Sequence, residues 1–131
     1  MKTLRAWLPA LAWAGTIFFL SSRPHLVDGP ELFPNFDKVA HFGAYSLLGL
    51  LLAHAVRGSG LPLAAAVALG WLYGASDEWH QSFVPGRSVE ALDWVADALG
   101  VLAGVYLFKL WHARRRRGEA PPAGSADFLR T

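Results

Sequence analysis

The sequence predicts an all-α fold: a four-helix bundle embedded in a membrane, with both termini on the cytoplasmic side and a disordered basic C-terminal tail. Three observations carry this. Of 131 residues, 53% are hydrophobic and only 17% charged, against roughly 25% charged in ordinary soluble domains. The charges are clustered, so that residues 6–22 and 58–76 are uncharged runs of seventeen and nineteen residues. At about 1.5 Å per helical residue the longer run reaches about 28 Å, close to the roughly 30 Å hydrocarbon core of a bilayer. Finally, the runs are continuously apolar, whereas barrel strands alternate over about ten residues. Helices and closed barrels are the two structures that satisfy their backbone groups in lipid.

The first span covers about residues 4–20, LRAWLPALAWAGTIFFL. A secretory signal peptide is the competing reading, since MKTLR is a positively charged start. No small-x-small cleavage site follows FFLSS, however. The second span covers about residues 37–56 and the third about 61–81, where LPLAAAVALGWL offers no polar face of the kind a soluble helix needs. The fourth covers about residues 88–112. Pro9 and Pro62 lie at or shortly after the starts of their spans, where a missing N–H is best tolerated. Pro24, Pro30 and Pro34 mark the first loop, and Pro85-Gly86 marks a turn between the third and fourth spans.

Together the spans form one domain, residues 1–112, followed by a basic tail at 113–131. Lys2, Arg5, Arg57, Lys109 and Arg114 to Arg117 flank one set of span ends, against Arg23, Lys38 and Arg87 on the other. Lys and Arg accumulate on the cytoplasmic side, which places both termini there and makes this a multi-pass protein of the cytoplasmic membrane. The run of four arginines reads as an anchor at anionic lipid headgroups rather than a nucleic-acid contact. The remainder of the tail, polar and proline-containing, is expected to be disordered.

The opposite face gathers the acids. Asp37, His41 and Tyr45 are spaced by four, as are Asp77 and Gln81, and Asp93 and Asp97, with Glu78 one turn from Gln81. Residues at that spacing share one side of a helix, so three spans present a carboxylate-rich rim, with Arg87 in the adjoining loop as the expected ionic partner. Only eleven uncharged residues separate Asp97 from Lys109. The fourth span therefore begins before Asp97, which lies at or below the interface. A carboxylate at that depth is unfavourable unless paired or hydrated, and so marks a functional site. Gly70 with Gly74, and Gly100 with Gly104, are small-xxx-small pairs expected to bring the third and fourth spans together near the acids.

These segments, DKVAHFGAYSLLG and DEWHQSFVPGRSVEALDWVADALGVLAG, resemble the VanZ-like family of small bacterial membrane proteins. The matching positions are Asp37, Lys38, His41, Phe42, Tyr45, Asp77, Glu78, Gln81, Phe83, Arg87, Asp93 and Asp97, continuing through Gly100 and Gly104. The resemblance spans about Phe36 to Gly104. Position 97 is often Asn in that family, so Asp97 adds a charge. The resemblance implies a link to low-level resistance to glycopeptides of the teicoplanin type.

Two chemistries and one structural alternative suit the cluster. Asp37, His41, Asp77, Glu78 and Asp93 are the candidates for acid–base catalysis on an envelope substrate. Lys38, Tyr45, Gln81, Arg87 and Asp97 are the candidates for binding. Membrane lipid is the expected partner, and a lipid-linked envelope precursor or a glycopeptide the expected ligand; nucleic acid is not. Trp71, Trp79 and Trp94 suit an amphiphile, or the ordinary aromatic belt. The alternative is a polar network that fixes helix packing, with Asp37 and Ser88 as helix caps and His41 as a packing hydrogen bond. His25, His54, His80 and His112 fall outside the pattern.

His41, Asp77, Glu78 and Asp93 also carry O and N donors for a divalent cation. The stretch around His80 is not a HExxH motif, and no metal or other cofactor is assigned. The absence of cysteine excludes disulfides and thiolate chemistry. No GxSxG elbow, phosphate-binding loop or dinucleotide-binding loop occurs.

Overall fold

The computed structural model describes residues 2–24 and 34–118. Four helices follow one another: α1 Lys2–Ser21, α2 Phe36–Gly58, α3 Leu63–Gln81 and α4 Ala91–Gly118, with no strand among the described residues. They run up, down, up and down. Trp7 of α1 donates to Ser59 after α2 at one end, while Ser21 of α1, Tyr45 of α2 and Asp77 and Gln81 of α3 meet toward the other. His25, Asp28, Pro30, Glu31 and the segment 119–131 lie outside the described residues.

α2 is the axis of the bundle. It packs on α1, α3 and most extensively α4, whereas α1 and α4 do not touch. Leu48, Ala53 and Val56 of α2, Ala66 of α3 and Val101 of α4 are at most 1% exposed and form the centre of the core. α1 is tied to its neighbours by polar contacts as well as packing. The indole of Trp13 donates to the Ala44 carbonyl at 2.9 Å, and the hydroxyl of Tyr73 to that of Ala14.

Glycines set how closely α2 and α4 approach. A methyl group on Gly104 would run into the Ser46 carbonyl, and one on Gly49 into the Val101 carbonyl. On Gly100 it would lie 2.5 Å from the Phe42 carbonyl. Gly100 and Gly104 thus face α2, a correction to the expectation that they pair α4 with α3. Gly70 and Gly74 do face α4, against Val101 and Asp97.

Local signals explain the boundaries. After α2, Gly60 adopts φ 75°, and Leu61 and Gly60 donate to the Val56 and Arg57 carbonyls at 2.8 and 3.1 Å. This is the Schellman ending that a left-handed glycine permits. Pro62, with φ −70°, caps α3 from the extended region. Between α3 and α4, Val84-Pro85-Gly86-Arg87 closes with a 3.2 Å bond and Gly86 at φ 80°, the signature of a type II turn.

Three boundary expectations need correction. Pro9 stands in the body of α1, because the helix begins at Lys2; no N–H remains there to meet the Arg5 carbonyl. α4 starts at Ala91 rather than residue 88 and runs six residues past His112, carrying all four arginines on the helix. Arg115 lies over the Trp111 ring at 4.5 Å, which helps extend it. The N-cap of α2 is Asn35 rather than Asp37, and Ser88 precedes α4 without capping it.

α1, α2 and α4 are long and apolar enough to cross a membrane. α3 has comparable length but falls short in composition, because Ser76, Asp77, Glu78, His80 and Gln81 fill its last turns. Asp77, Glu78 and Gln81 are buried inside the bundle, so these polar groups need not meet lipid. Outside, Leu8, Leu11, Phe18, Leu72, Leu99 and Leu107 are all more than half exposed. An apolar surface on this scale is a liability in water and the natural exterior in lipid. The chain is a multi-pass membrane protein.

Candidate functional site

The polar ends of α2, α3 and α4 converge. Asp37, Lys38, His41 and Tyr45 lie along one side of α2, Asp77, Glu78 and Gln81 on the last turn of α3, and Asp93 and Asp97 on the first two turns of α4. Asp77, Glu78, Asp93 and Asp97 are all no more than 7% exposed. Taking a carboxylate out of water costs several kcal/mol after relaxation unless its lone pairs are met, so each partner matters.

Lys38 is the organising cation. Its Nζ lies 2.8 Å from Asp37 Oδ2, 2.8 Å from Glu90 Oε2 and 3.2 Å from Asp93 Oδ1, joining the start of α2 to the start of α4. Deeper in, His41 Nδ1 is 2.8 Å from Asp97 Oδ1, across the same helix pair. Deeper still, Tyr45 donates from its hydroxyl to Asp77 Oδ2 at 3.1 Å, and Gln81 Nε2 reaches the same oxygen and Ser21 Oγ at 3.3 Å. One side of α2 thus holds one acid after another, in the order its four-residue spacing sets.

Arg87 does not take the expected role of ionic partner. Its Nη2 donates to the Leu20 carbonyl at 3.4 Å, and no carboxylate pairs with it among the described residues. Leu20 sits in the last turn of α1, and its carbonyl also accepts from Arg23 N at 3.1 Å. Arg87 therefore ties the α3–α4 loop to α1, while the shorter reach to the acids falls to Lys38.

Sequence reasoning gave no role to Glu90, Ser21 or His80. Glu90 completes the Lys38 cage. Ser21 takes the second bond of Gln81. His80, in the last turn of α3, stacks on Phe18 at 4.5 Å and shares a 2.9 Å hydrogen bond with Ser22 Oγ. Glu90 was visible as a charge in the acidic stretch, whereas Ser21 carried no signal at all. Two of the tryptophans close α3 on α4: Trp71 donates to the Ala98 carbonyl and Trp94 to that of Trp71, at 3.2 and 3.4 Å. Trp79 points outward, 70% exposed.

Not every acceptor is met. Asp77 Oδ1, both oxygens of Glu78 and Asp97 Oδ2 are buried with no hydrogen-bond partner. Of these acids Asp77 also lines a cleft of about 240 Å³ that opens between α1 and α3, with Phe18, Tyr73, Ser76, Trp79 and His80 as its other walls. A buried acceptor left empty is unfavourable by about 1–3 kcal/mol, more when charged. The arrangement is therefore built to receive hydrogen-bond donors or a cation.

No curated protein and no solved structure matches the chain. The sequence profile described as VanZ/LLP1 matches residues 6–112. That reach includes α1, which lies outside the two segments that carry the resemblance by eye. With the match covering most of its length and every helix, the chain belongs to the VanZ/LLP1 family.

Proposed function

We propose that the convergent polar ends form a chamber on the outer face of the cytoplasmic membrane, with both termini in the cytoplasm, and that the chamber takes the polar head of an envelope amphiphile. A lipid-linked envelope precursor or a lipoglycopeptide has the required chemistry. Its hydroxyl, amide or ammonium donors match the vacant acceptors, and its chain lies along the apolar exterior. The observation that carries this reading is the set of buried, partnerless carboxylate oxygens, of which that of Asp77 belongs to the wall of a cleft bounded by Phe18 and the exposed Trp79. The distribution of Lys and Arg supports the orientation. Glycopeptide resistance, implied by the family, follows if the bound amphiphile is the antibiotic or its target.

Native mass spectrometry of the protein extracted in mild detergent tests this. The expected result is a retained amphiphile that is lost in Asp77→Asn. A folded parent protein carrying no such adduct, or an adduct indifferent to that change, refutes it.

A second reading, an acid–base or metal-assisted enzyme acting on the same class of substrate, is favoured by the His41–Asp97 pair. A carboxylate that fixes the tautomer and orientation of an imidazole prepares it as a general base. Glu78→Gln and Asp93→Asn should then abolish turnover of the lipid-linked substrate in membranes while the protein stays folded. Undiminished turnover removes the enzyme reading and leaves the binding one intact.

A further inference from the structure

Two groups of ligating side chains sit in the chamber, and they differ in one respect. Asp37, Glu90 and Asp93 bring carboxylate oxygens within 4.8 Å of one another, but the ammonium of Lys38 already lies among them. His41, Glu78 and Asp93 likewise bring one ligand atom each within 4.8 Å of one another, and among the described residues no Lys or Arg pairs with Glu78. Glu78 is 93% buried (7% exposed), and neither of its oxygens has a partner.

We infer that His41, Glu78 and Asp93 hold a first-row divalent cation, zinc or manganese, that clasps α2, α3 and α4 together at the chamber. The donor set selects the metal class. Two carboxylates and an imidazole suit zinc and manganese, whereas magnesium and calcium favour all-oxygen sites and copper(I) favours sulfur. Donor atoms around a zinc ion at about 2.1 Å stand about 3.4 Å apart. The three side chains therefore close by about an ångström as the ion enters, within the reach of small rotamer changes.

The surroundings fit this assignment. Asp97 takes the Nδ1 side of His41 at 2.8 Å, which leaves Nε2 as the nitrogen for the metal. A carboxylate behind a ligating imidazole is the arrangement that orients histidine at metal centres. Lys38 holds Oδ1 of Asp93 at 3.2 Å and leaves the other oxygen free. Among the described residues, Asp37, Asp77, Glu78, Glu90, Asp93 and Asp97 supply six carboxylates and Lys38 the one ammonium paired with any of them, an imbalance that a dication reduces. Three protein ligands also leave coordination positions for water or for a ligand oxygen.

This inference stands on three side chains and does not require the amphiphile reading. The test uses the full-length protein in detergent, stripped with a chelator, then titrated with zinc and with manganese and analysed for bound element. The expected result is about one ion per chain. Glu78→Gln and His41→Ala each lower that affinity by at least about a hundredfold, Asp97→Asn by about ten- to a hundredfold, and Glu90→Gln by no more than about threefold. Gel filtration and thermal unfolding establish that each variant is folded. If Glu78→Gln fails to fold, Asp93→Asn reports on the same site.

A folded parent that binds neither ion overturns the inference, as does binding that survives both Glu78→Gln and His41→Ala. A carboxylic-acid carbonyl band in the infrared spectrum, present with zinc added and absent in Glu78→Gln, also overturns it, because a protonated Glu78 cannot ligate. A folded parent that binds the metal but retains no lipid adduct would strike the amphiphile reading alone.

Discussion

Gly100→Ala perturbs the bundle where packing and the polar chamber meet. The added methyl would sit 2.5 Å from the Phe42 carbonyl and 3.1 Å from both Ser46 N and Tyr45 Cβ. Ordinary contact begins at 3.4 Å, so α4 must move away from α2 by about 0.9 Å at this level. Backbone atoms on a helix cannot turn aside as a flexible side chain would. Gly100 is three residues from Asp97, whose 2.8 Å bond to His41 spans the same helix pair. Added to that bond, the same displacement carries it to about 3.7 Å, beyond hydrogen-bonding distance. Overpacking costs about 1–3 kcal/mol, and a lost hydrogen bond to a charged group about 1.5–3 kcal/mol more. The expected destabilisation is about 3–5 kcal/mol, read by reversible unfolding in mixed micelles. Gly43→Ala is the control, since nothing lies within 4 Å of the added methyl; there better helix propensity should stabilise by up to about 1 kcal/mol. If Gly100→Ala is as stable as the parent, or Gly43→Ala is equally damaging, the close α2–α4 packing described above is wrong.

Other predictions address the charges and the topology. Lys38→Met should cost about 2–4 kcal/mol: its bonds to the more exposed Asp37 and Glu90 contribute little, but Asp93, with a side chain 9% exposed, is left without its counter-ion. Adding Asp93→Asn to that variant should recover more than half of the loss in the same assay, because the orphaned charge is then gone. Arg87→Ala should loosen the contact between the α3–α4 loop and α1 while sparing the Lys38 cage, seen as faster amide exchange at the end of α1 alone. The chain has no cysteine, so Ser82→Cys and Leu61→Cys report cleanly on sidedness. An impermeant maleimide should label Ser82→Cys in intact cells, and Leu61→Cys only after lysis.

The parts of the structure legible in the sequence were those governed by one helix at a time. The uncharged runs fall on α1 and α3, Pro85-Gly86 located the turn, and the four-residue spacing of Asp37, His41 and Tyr45 gave their common side. Which helix faces which is decided between helices, and there spacing is silent. Gly100 and Gly104 form as good a small-residue pair for α3 as for α2. Their actual partner follows from where the Phe42 and Ser46 carbonyls lie, and from Gly49, which has no glycine partner four residues away. Arg87 and Lys38 were equal as cations in the sequence. The loop directs Arg87 to the end of α1, and Lys38, on the first turn of α2, reaches α4 directly. α4 outran its expected end because Arg115 stacks on Trp111, a contact that hydropathy does not register.

The central claim is that the polar ends of α2 and α3, more than thirty residues apart in sequence at Tyr45 and Asp77, come together inside the bundle. A double-mutant cycle between Tyr45→Phe and Asp77→Asn, measured by unfolding in mixed micelles, tests it most directly, because the buried 3.1 Å bond joins those two helices at their polar ends. The account predicts a coupling energy of about 0.5–3 kcal/mol. Two effects that simply add, to within about 0.3 kcal/mol, would contradict it.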